Sequence, residues 1–478
     1  MRYIQGESRD QLALLPASFD DLVPMDHLVR VIELFVDGLD IEALGFGRAQ
    51  PATTGRPGYD PADLLKLYLY GYLHQTRSSR RLEHECERNV EVMWLLKRLR
   101  PDHKTIAEFR RHNAVAFRAV CRGLIRLCKT HNLLGATVAI DGSKFQAVAS
   151  SKRARNPQRL AQQEAALERA IAAWLLRLDE ADTEEARANG APDRDQIQAT
   201  ITALKARATD AASQRQLMEA LGLTQHVVGE PDARVMKTGQ GKRPAYNVQT
   251  AVDSDTHLIV HHDVVQDAND TRQLHPMAES TKDVLHVDAL TVVADAGYSN
   301  GEQLQQCEDN GITPYVAVNR ALNNKGDGQQ FQAEDFRYDN DTDRFTCPAG
   351  QTLRRVQVLK RKRQIYYRAE AVACSACPLK ARCTSGKART VSRHFNEAAF
   401  TRATQRLAEK PEMMRLRKST VEHPFGTLKH VIFGNGRFLV RGLDNVKGEM
   451  SLGILAYNLK RLMKLLQPAT LHEMLVAT

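Results

Sequence analysis

The 478-residue sequence has no apolar run of the roughly 18–20 residues that a membrane-spanning helix needs, so no such helix is expected. Its first residues, MRYIQGESRD, lack a basic stretch followed by an apolar one. No secretory signal is therefore expected, and the chain reads as a soluble cytoplasmic protein with no membrane partner. Several chemistries also lack their motifs. There is no P-loop, no G-x-S-x-G and no H-E-x-x-H, which leaves nucleotide hydrolysis, serine-hydrolase and zincin chemistry without an anchor. Cysteine is sparse: of eight, Cys86, Cys121, Cys128 and Cys307 are scattered and read as small core residues. The apolar residues, 42% of the chain, suffice for two or three packed domains.

Charge is present in moderate excess, with 67 Lys and Arg against 57 Asp and Glu, and it is segregated. Residues 351–395 hold twelve basic residues against one acid, Glu370, and residues 61–130 hold fifteen against seven. Such blocks suit a polyanion whose phosphates are neutralised locally. A solvated basic face is the other reading of each block.

Along the chain, Pro61 opens a helix with Leu64, Leu65, Tyr68, Leu69, Tyr72 and Leu73 on one stripe. Ser78 or Ser79 caps a second through Val92, Leu95 and Leu96. Thr105-Ile-Ala-Glu108, as a capping box, opens a third through Phe109, Phe117 and Leu124. Arg110 and Arg111 near the start of the third helix make residues 1–132 either a helix-turn-helix-like DNA-binding region or a plain helical bundle. Residues 156–225 read as a helical hairpin turning at Asn189-Gly-Ala-Pro192, in contact with DNA or a second subunit, or passive. Around it, residues 133–155 and 226–319 alternate strands and helices. Residues 320–395 lean to β structure, and residues 396–478 return to helix.

Within that α+β pattern, Thr137-Val-Ala-Ile-Asp141 and Ala289-Leu-Thr-Val-Val-Ala-Asp295 are strands ending in acids, and Glu422 lies on a late helix. Acids at the C-terminal ends of sheet strands converge in open α/β folds. Three carboxylates would suit hard cations and phosphoryl transfer. Asp232, Asp253, Asp263 and Asp267 are further acids in these segments, for which turn or capping roles are expected.

The local words are more specific. Val138-Ala-Ile-Asp-Gly-Ser143, Tyr246-Asn-Val-Gln-Thr-Ala-Val-Asp253, Val293-Ala-Asp-Ala-Gly-Tyr298 and Val421-Glu-His-Pro-Phe-Gly-Thr-Leu-Lys429 together resemble DDE transposases of bacterial insertion sequences. The likeness is to the IS4/IS5 superfamily and its IS1182 branch. Gly55-Arg-Pro-Gly58 and Thr105-Ile-Ala-Glu-Phe-Arg110 look like the N-terminal domain these enzymes carry. The resemblance implies an RNase H-like mixed sheet flanked by helices, with an N-terminal helical domain and two insertions. It implies a catalytic triad of Asp141, Asp295 and Glu422 holding Mg²⁺ or Mn²⁺. The reaction implied is hydrolysis at the element's ends followed by attack of the freed 3′-hydroxyl on target DNA. Partners would be double-stranded terminal repeats and target, met as a dimer on nucleoid DNA. The superfamily's Y-x2-R-x3-E-x6-K signature keeps Glu422 and Lys429, with Arg415 and Lys418 replacing its Tyr and Arg. These three basic residues become candidate phosphate contacts. A related metal nuclease that does not join ends, or an inactive DNA-binding regulator, would share much of this pattern.

Cys347, Cys374, Cys377 and Cys383 form a separate cluster that suits structural Zn²⁺, with reduced free thiols as the alternative. It lies within the basic block, whose Arg361, Lys362 and Arg363 are further candidate DNA contacts.

Overall fold

The computed structural model describes residues 18–50, 57–185, 194–318, 330–332 and 335–476, with backbone alone for 181–185 and 362. Gly55, Arg56, the Asn189–Pro192 turn and the Lys362 side chain lie outside the described residues.

The N-terminal region is helical: α1 (Leu28–Asp37), α2 (Pro61–Leu73), α3 (Ser79–Arg88), α4 (Val90–Leu95), α5 (His103–His112) and α6 (Ala114–Thr130). Pro61 stands in the first turn of α2, and the Asp60 carboxylate accepts the Ala62 N–H at 2.8 Å. This helix is buried on nearly every face, beyond the single stripe expected, because α1, α4, α5 and a C-terminal helix all pack on it. Two boundaries differ from the sequence reading. Asn89 ends α3 and caps α4, its Oδ1 accepting from Glu91 and Val92, so the expected second helix is two. The third begins before Thr105, because Asp102 Oδ1 accepts the Lys104 and Thr105 N–H groups at 2.9 and 3.0 Å.

The central sheet contains β1 (Thr137–Gln146), then β4 (Arg234–Thr238), β5 (Gly241–Asp253), β6 (Ile259–Val265), β7 (Leu290–Ala294) and β8 (Ile312–Val316). Between β1 and β4 a short pair, β2 (Ala154–Arg155) and β3 (His226–Val227), closes the base of a hairpin of α7 (Pro157–Glu185) and α8 (Arg194–Ala220). The sheet order is β4-β5-β1-β7-β8, with β6 also paired to β5. β1 runs antiparallel to β5 and parallel to β7. Helices α9 (Leu274–Leu285) and α10 (Gly301–Asp309) supply the crossovers. This is an RNase H-like α+β arrangement, flanked by the N-terminal helices and interrupted by two insertions.

The second insertion is an antiparallel sheet of β9 (Arg337–Asp339), β10 (Arg344–Thr346), β11 (Thr352–Leu359), β12 (Gln364–Ala369) and β13 (Thr390–His394). It also carries short helices α11 (Ala371–Ser375) and α12 (Lys380–Cys383). Its own small core is Phe336, Phe345, Leu353, Tyr367 and Val391. The chain ends in α13 (Glu397–Glu409), α14 (Glu412–Gly426), a π-helical stretch Thr427–Ile432, α15 (Leu443–Leu465) and α16 (Pro468–Val476). No helix among the described residues is long and apolar enough to cross a membrane.

β1 does not stop at Asp141. It pairs with β5 residue by residue as far as Gln146, so the first acid sits mid-strand rather than at the strand's end. Gly142 is needed for closeness: a Cβ there would come within 2.3 Å of Gln249 Nε2 and 2.6 Å of Asp270 Oδ1.

On β6, His262 is buried with Nε2 2.9 Å from Ser451 Oγ. Burial pushes its pKa well down and lowers that of His261 to about 4. Both imidazoles are neutral in the fold and become protonated when the chain unfolds below about pH 6.5. Stability should therefore fall as pH drops from about 6.5 towards 4, by about 1.4 kcal/mol per pH unit for each imidazole. Denaturation midpoints across that window check this, and His261→Gln should remove one proton's worth of the slope.

Candidate active site

The parallel register of β1 and β7 pairs Thr137 with Thr291, Val138 with Val292 and Ala139 with Val293. Carried two residues on, it sets Asp141 level with Asp295. Asp295 follows β7 directly and caps a one-turn helix, its Oδ1 accepting the Gly297 N–H at 2.8 Å. One cation spans the two acids. Arg417 Nη2 lies 2.8 Å from Asp141 Oδ1 and 3.4 Å from Asp295 Oδ2. Burial raises the Asp141 pKa to about 6, with Arg417 pulling it back and Asp295 adding to the rise. The Nε of Arg417 is buried without a hydrogen-bond acceptor among the described residues.

Arg417 comes from α14, whose Met413, Met414 and Val421 pack on Ala139, Val293 and Tyr315. Glu422 is on the same helix, but five residues on and so about 140° around its axis. It is exposed there and does not join the two aspartates. Among the described residues no group of three or more His, Cys, Asp or Glu is drawn together to hold a metal. The structure thus brings Asp141 and Asp295 together and leaves Glu422 out, on an exposed face of α14 turned away from the one that carries Arg417. Lys429, in the π-helical stretch, feels the Asp141 charge, although burial lowers its pKa overall. Its Nζ sits 5.5 Å from the Phe145 ring centroid.

Beneath the aspartates lies a polar network that sequence reasoning missed. Asp270 Oδ1 accepts from Asn247 Nδ2 and Gln249 Nε2, both at 2.7 Å, and from Lys144 Nζ at 3.2 Å. Gln249 Oε1 accepts the Tyr298 hydroxyl at 2.5 Å, which ties the turn carrying Asp295 to β5. The available signal was Asn247 and Gln249, two polar residues two apart on a strand otherwise apolar enough to be central. Arg417 also had a signal: it falls on the inward stripe of α14, where a cation needs a buried partner.

Other expected site residues are placed as follows. Asp253 accepts turn N–H groups from Asp255 and Thr256, and Asp232 accepts the Leu443 N–H at the start of α15. Asp267 accepts from Gln273, whereas Asp263 is ion-paired to Lys447 at 2.7 Å and has no turn role. Arg110 points inward: it donates to the Arg77 carbonyl and lies over Tyr68, while Arg111 is exposed. Arg363 is held by Glu302 at 2.8 Å and by Asn396, whereas Arg361, Arg415 and Lys418 are exposed. Cys347, Cys374, Cys377 and Cys383 are free thiols lining one small cavity with Ala369 and Arg389. Cys347 Sγ accepts the Gln351 N–H at 3.3 Å. The Cys383 thiol is pushed up by burial and by its three neighbouring thiols, with Arg389 opposing.

Comparison with known families decides what this frame belongs to. The family described as "Transposase DDE domain" matches residues 214–459, more than half the chain, and "Transposase domain (DUF772)" matches residues 17–112. The chain belongs to the DDE transposase family. The matched spans of this transposase include Asp295, Arg417 and Glu422, whereas Asp141 lies between them. No curated protein matches it. A cryo-EM structure of the piggyBac transposase synaptic complex with hairpin DNA aligns with 94% of this chain and 77% of its own. Identity is 8% and the TM-score 0.33, so nothing of that arrangement is carried over.

Proposed function

We propose that the chain is the transposase of an IS1182-like insertion sequence of the IS4/IS5 superfamily. It would hydrolyse phosphodiesters at the element's ends and transfer the freed 3′-hydroxyl into target DNA. The supporting observation is the meeting of Asp141 and Asp295, from adjacent parallel strands, on one guanidinium of the helix that carries Glu422. Paired carboxylate oxygens suit Mg²⁺ or Mn²⁺, and a seat already taken by a cation is one where positive charge is stabilised. When bound, the metal supplies activation of the attacking oxygen and charge relief at the leaving one. The chain's own residues do the rest. Asp141 and Asp295 hold the site, Glu422 is the third carboxylate that the resemblance implies for it, and the Gln249–Asp270 network keeps the Asp295 turn in place. Lys429, Arg415 and Lys418 grip phosphates beside the cut. Arg111, Arg361 and Lys362 bind backbone further out, with Arg110 and Arg363 bracing those surfaces from beneath. Two element ends must be paired, so a dimer on nucleoid DNA in the cytoplasm is the working assembly.

The deciding experiment incubates the protein with Mg²⁺, DNA carrying the element ends, and a target plasmid. Joined products support transposition, and cleavage without joining reduces the protein to a nuclease. The exposed Glu422 is the one feature that favours a DNA-binding regulator, and DNA binding with no cleavage would bear that reading out.

Structural Zn²⁺ is proposed for the four cysteines of the second insertion on the strength of their thiolate chemistry and their shared cavity, although the free thiols are not drawn together as a ligand set here. Zinc removal by a chelator is expected to lower the melting midpoint and weaken end binding. Unchanged melting and binding would leave these residues as reduced thiols.

A further inference from the structure

A second charged cavity lies at the sheet edge, away from the aspartates. It measures about 160 Å³ and is lined by Arg118 and Arg122 of α6, His261 and Asp263 of β6, Ser280 of α9 and Lys447 of α15. Four elements therefore aim polar groups at one space. Its charges do not cancel. Asp263 is matched to Lys447 at 2.7 Å. Arg118 and Arg122, one turn apart on the same helix face, meet no carboxylate among the described residues. Like charges at that spacing cost a few tenths of a kcal/mol in a helix and give nothing back. The His261 imidazole does not relieve them. His261 is held neutral first by burial, against the pull of Asp263, and then by Arg122, Arg118 and Lys447. A concave site that concentrates uncompensated guanidinium charge lacks only an anion.

The geometry points to this cavity as a phosphate-binding site, in which Arg118 and Arg122 grip a backbone phosphate of the bound DNA outside the cleavage centre. Guanidinium forks match phosphate oxygens in pairs, and the Ser280 hydroxyl and His261 imidazole can supply further hydrogen bonds. β6 and β1 are both paired to β5, so the cavity lies on the same sheet as the aspartates and beyond its β6 edge. A duplex crossing the sheet would be held there without touching the reacting bond. The inference rests on the proposed action on DNA, and its test separates the two.

Binding of a duplex carrying the element end is measured by salt titration without metal, in an Asp141→Asn background and in the same background with Arg118→Gln and Arg122→Gln. The double replacement is expected to weaken binding about tenfold or more near 100 mM salt and to flatten the log–log salt slope by about one. Equal affinities and slopes would overturn the inference while leaving transposition untouched. In a second arm, inorganic phosphate is added to DNA-free protein and the melting midpoint is read. Stabilisation by phosphate that vanishes in the double variant, with DNA binding unchanged, would make this a free-ion site and overturn the DNA assignment. Failure of the parent protein to bind duplex at all would count against the proposed function instead.

Discussion

Asp141→Asn and Asp295→Asn are each expected to lower metal-dependent cleavage of element ends by on the order of 10²–10³-fold or more, without loss of the fold. Preorganised charge at the reacting centre accounts for effects of that size when one member is removed. The stability side has the opposite sign. The pKa of Asp141 is raised from 3.8 to about 6, mainly because it is buried. Its ionised form therefore costs the folded state something at pH 7, and Asn removes that cost. Asp141→Asn should melt at or above the wild-type midpoint while losing activity, the pattern of a residue kept for function at the expense of stability. Arg417→Gln should move metal binding the other way. Its guanidinium competes for both carboxylates, so Mn²⁺ titrated into DNA-free protein should bind about tenfold tighter or more, since only 1.4 kcal/mol of relieved repulsion is needed. Weaker Mn²⁺ binding would make Arg417 a residue that positions the aspartates. Glu422→Gln is the sharpest of these variants. The side chain is exposed, so a loss of cleavage at unchanged stability could come only from the site, and normal cleavage would remove Glu422 from it.

The parts of this arrangement that were legible in the sequence are those set by local periodicity. The β-rich words around residues 137–141, 246–252 and 289–294 became strands of one sheet, and the described residues 337–394 of the β-leaning region form a small antiparallel sheet with its four cysteines on a common cavity. What stayed hidden depends on neighbours. Gly142 looks like a turn residue in isolation, and only the approach of Gln249 and Asp270 reveals why a glycine stands mid-strand. Arg415 and Lys418 stand where the signature has its Tyr and Arg, yet Arg417 between them meets the aspartates, because its direction depends on how α14 lies on the sheet. Asp270 follows β6 in the unremarkable run Ala-Asn-Asp-Thr and gains its meaning from side chains of β1 and β5.

Glu449→Ala should destabilise the chain by about 3–5 kcal/mol, the cost of leaving a buried charge without its partner. Glu449 is fully buried on α15. Its Oε1 accepts from Arg77 Nη1 at 2.9 Å, and its Oε2 accepts the Leu439 and Val440 N–H groups at 2.8 and 3.2 Å. Arg77, from the α2–α3 connection, also donates to the Phe433 carbonyl at 2.7 Å and lies over that ring. One carboxylate thus ties the N-terminal helices to the segment that follows Lys429. That segment is itself pinned to β1, where Gln146 N donates to Gly436 O at 2.8 Å and Phe438 N donates to Gln146 O at 3.0 Å. Replacing both partners with apolar residues, Arg77→Met with Glu449→Leu, should recover part of the loss but not all, because the Leu439 and Val440 N–H groups would still lack an acceptor. Denaturant midpoints of the two single variants and the double variant measure this. A loss under about 1 kcal/mol for Glu449→Ala would show that the pair is dispensable. If the loss is as large as expected, cleavage should weaken with it, since the stem of Lys429 rests against Gly436 in the segment this ion pair secures.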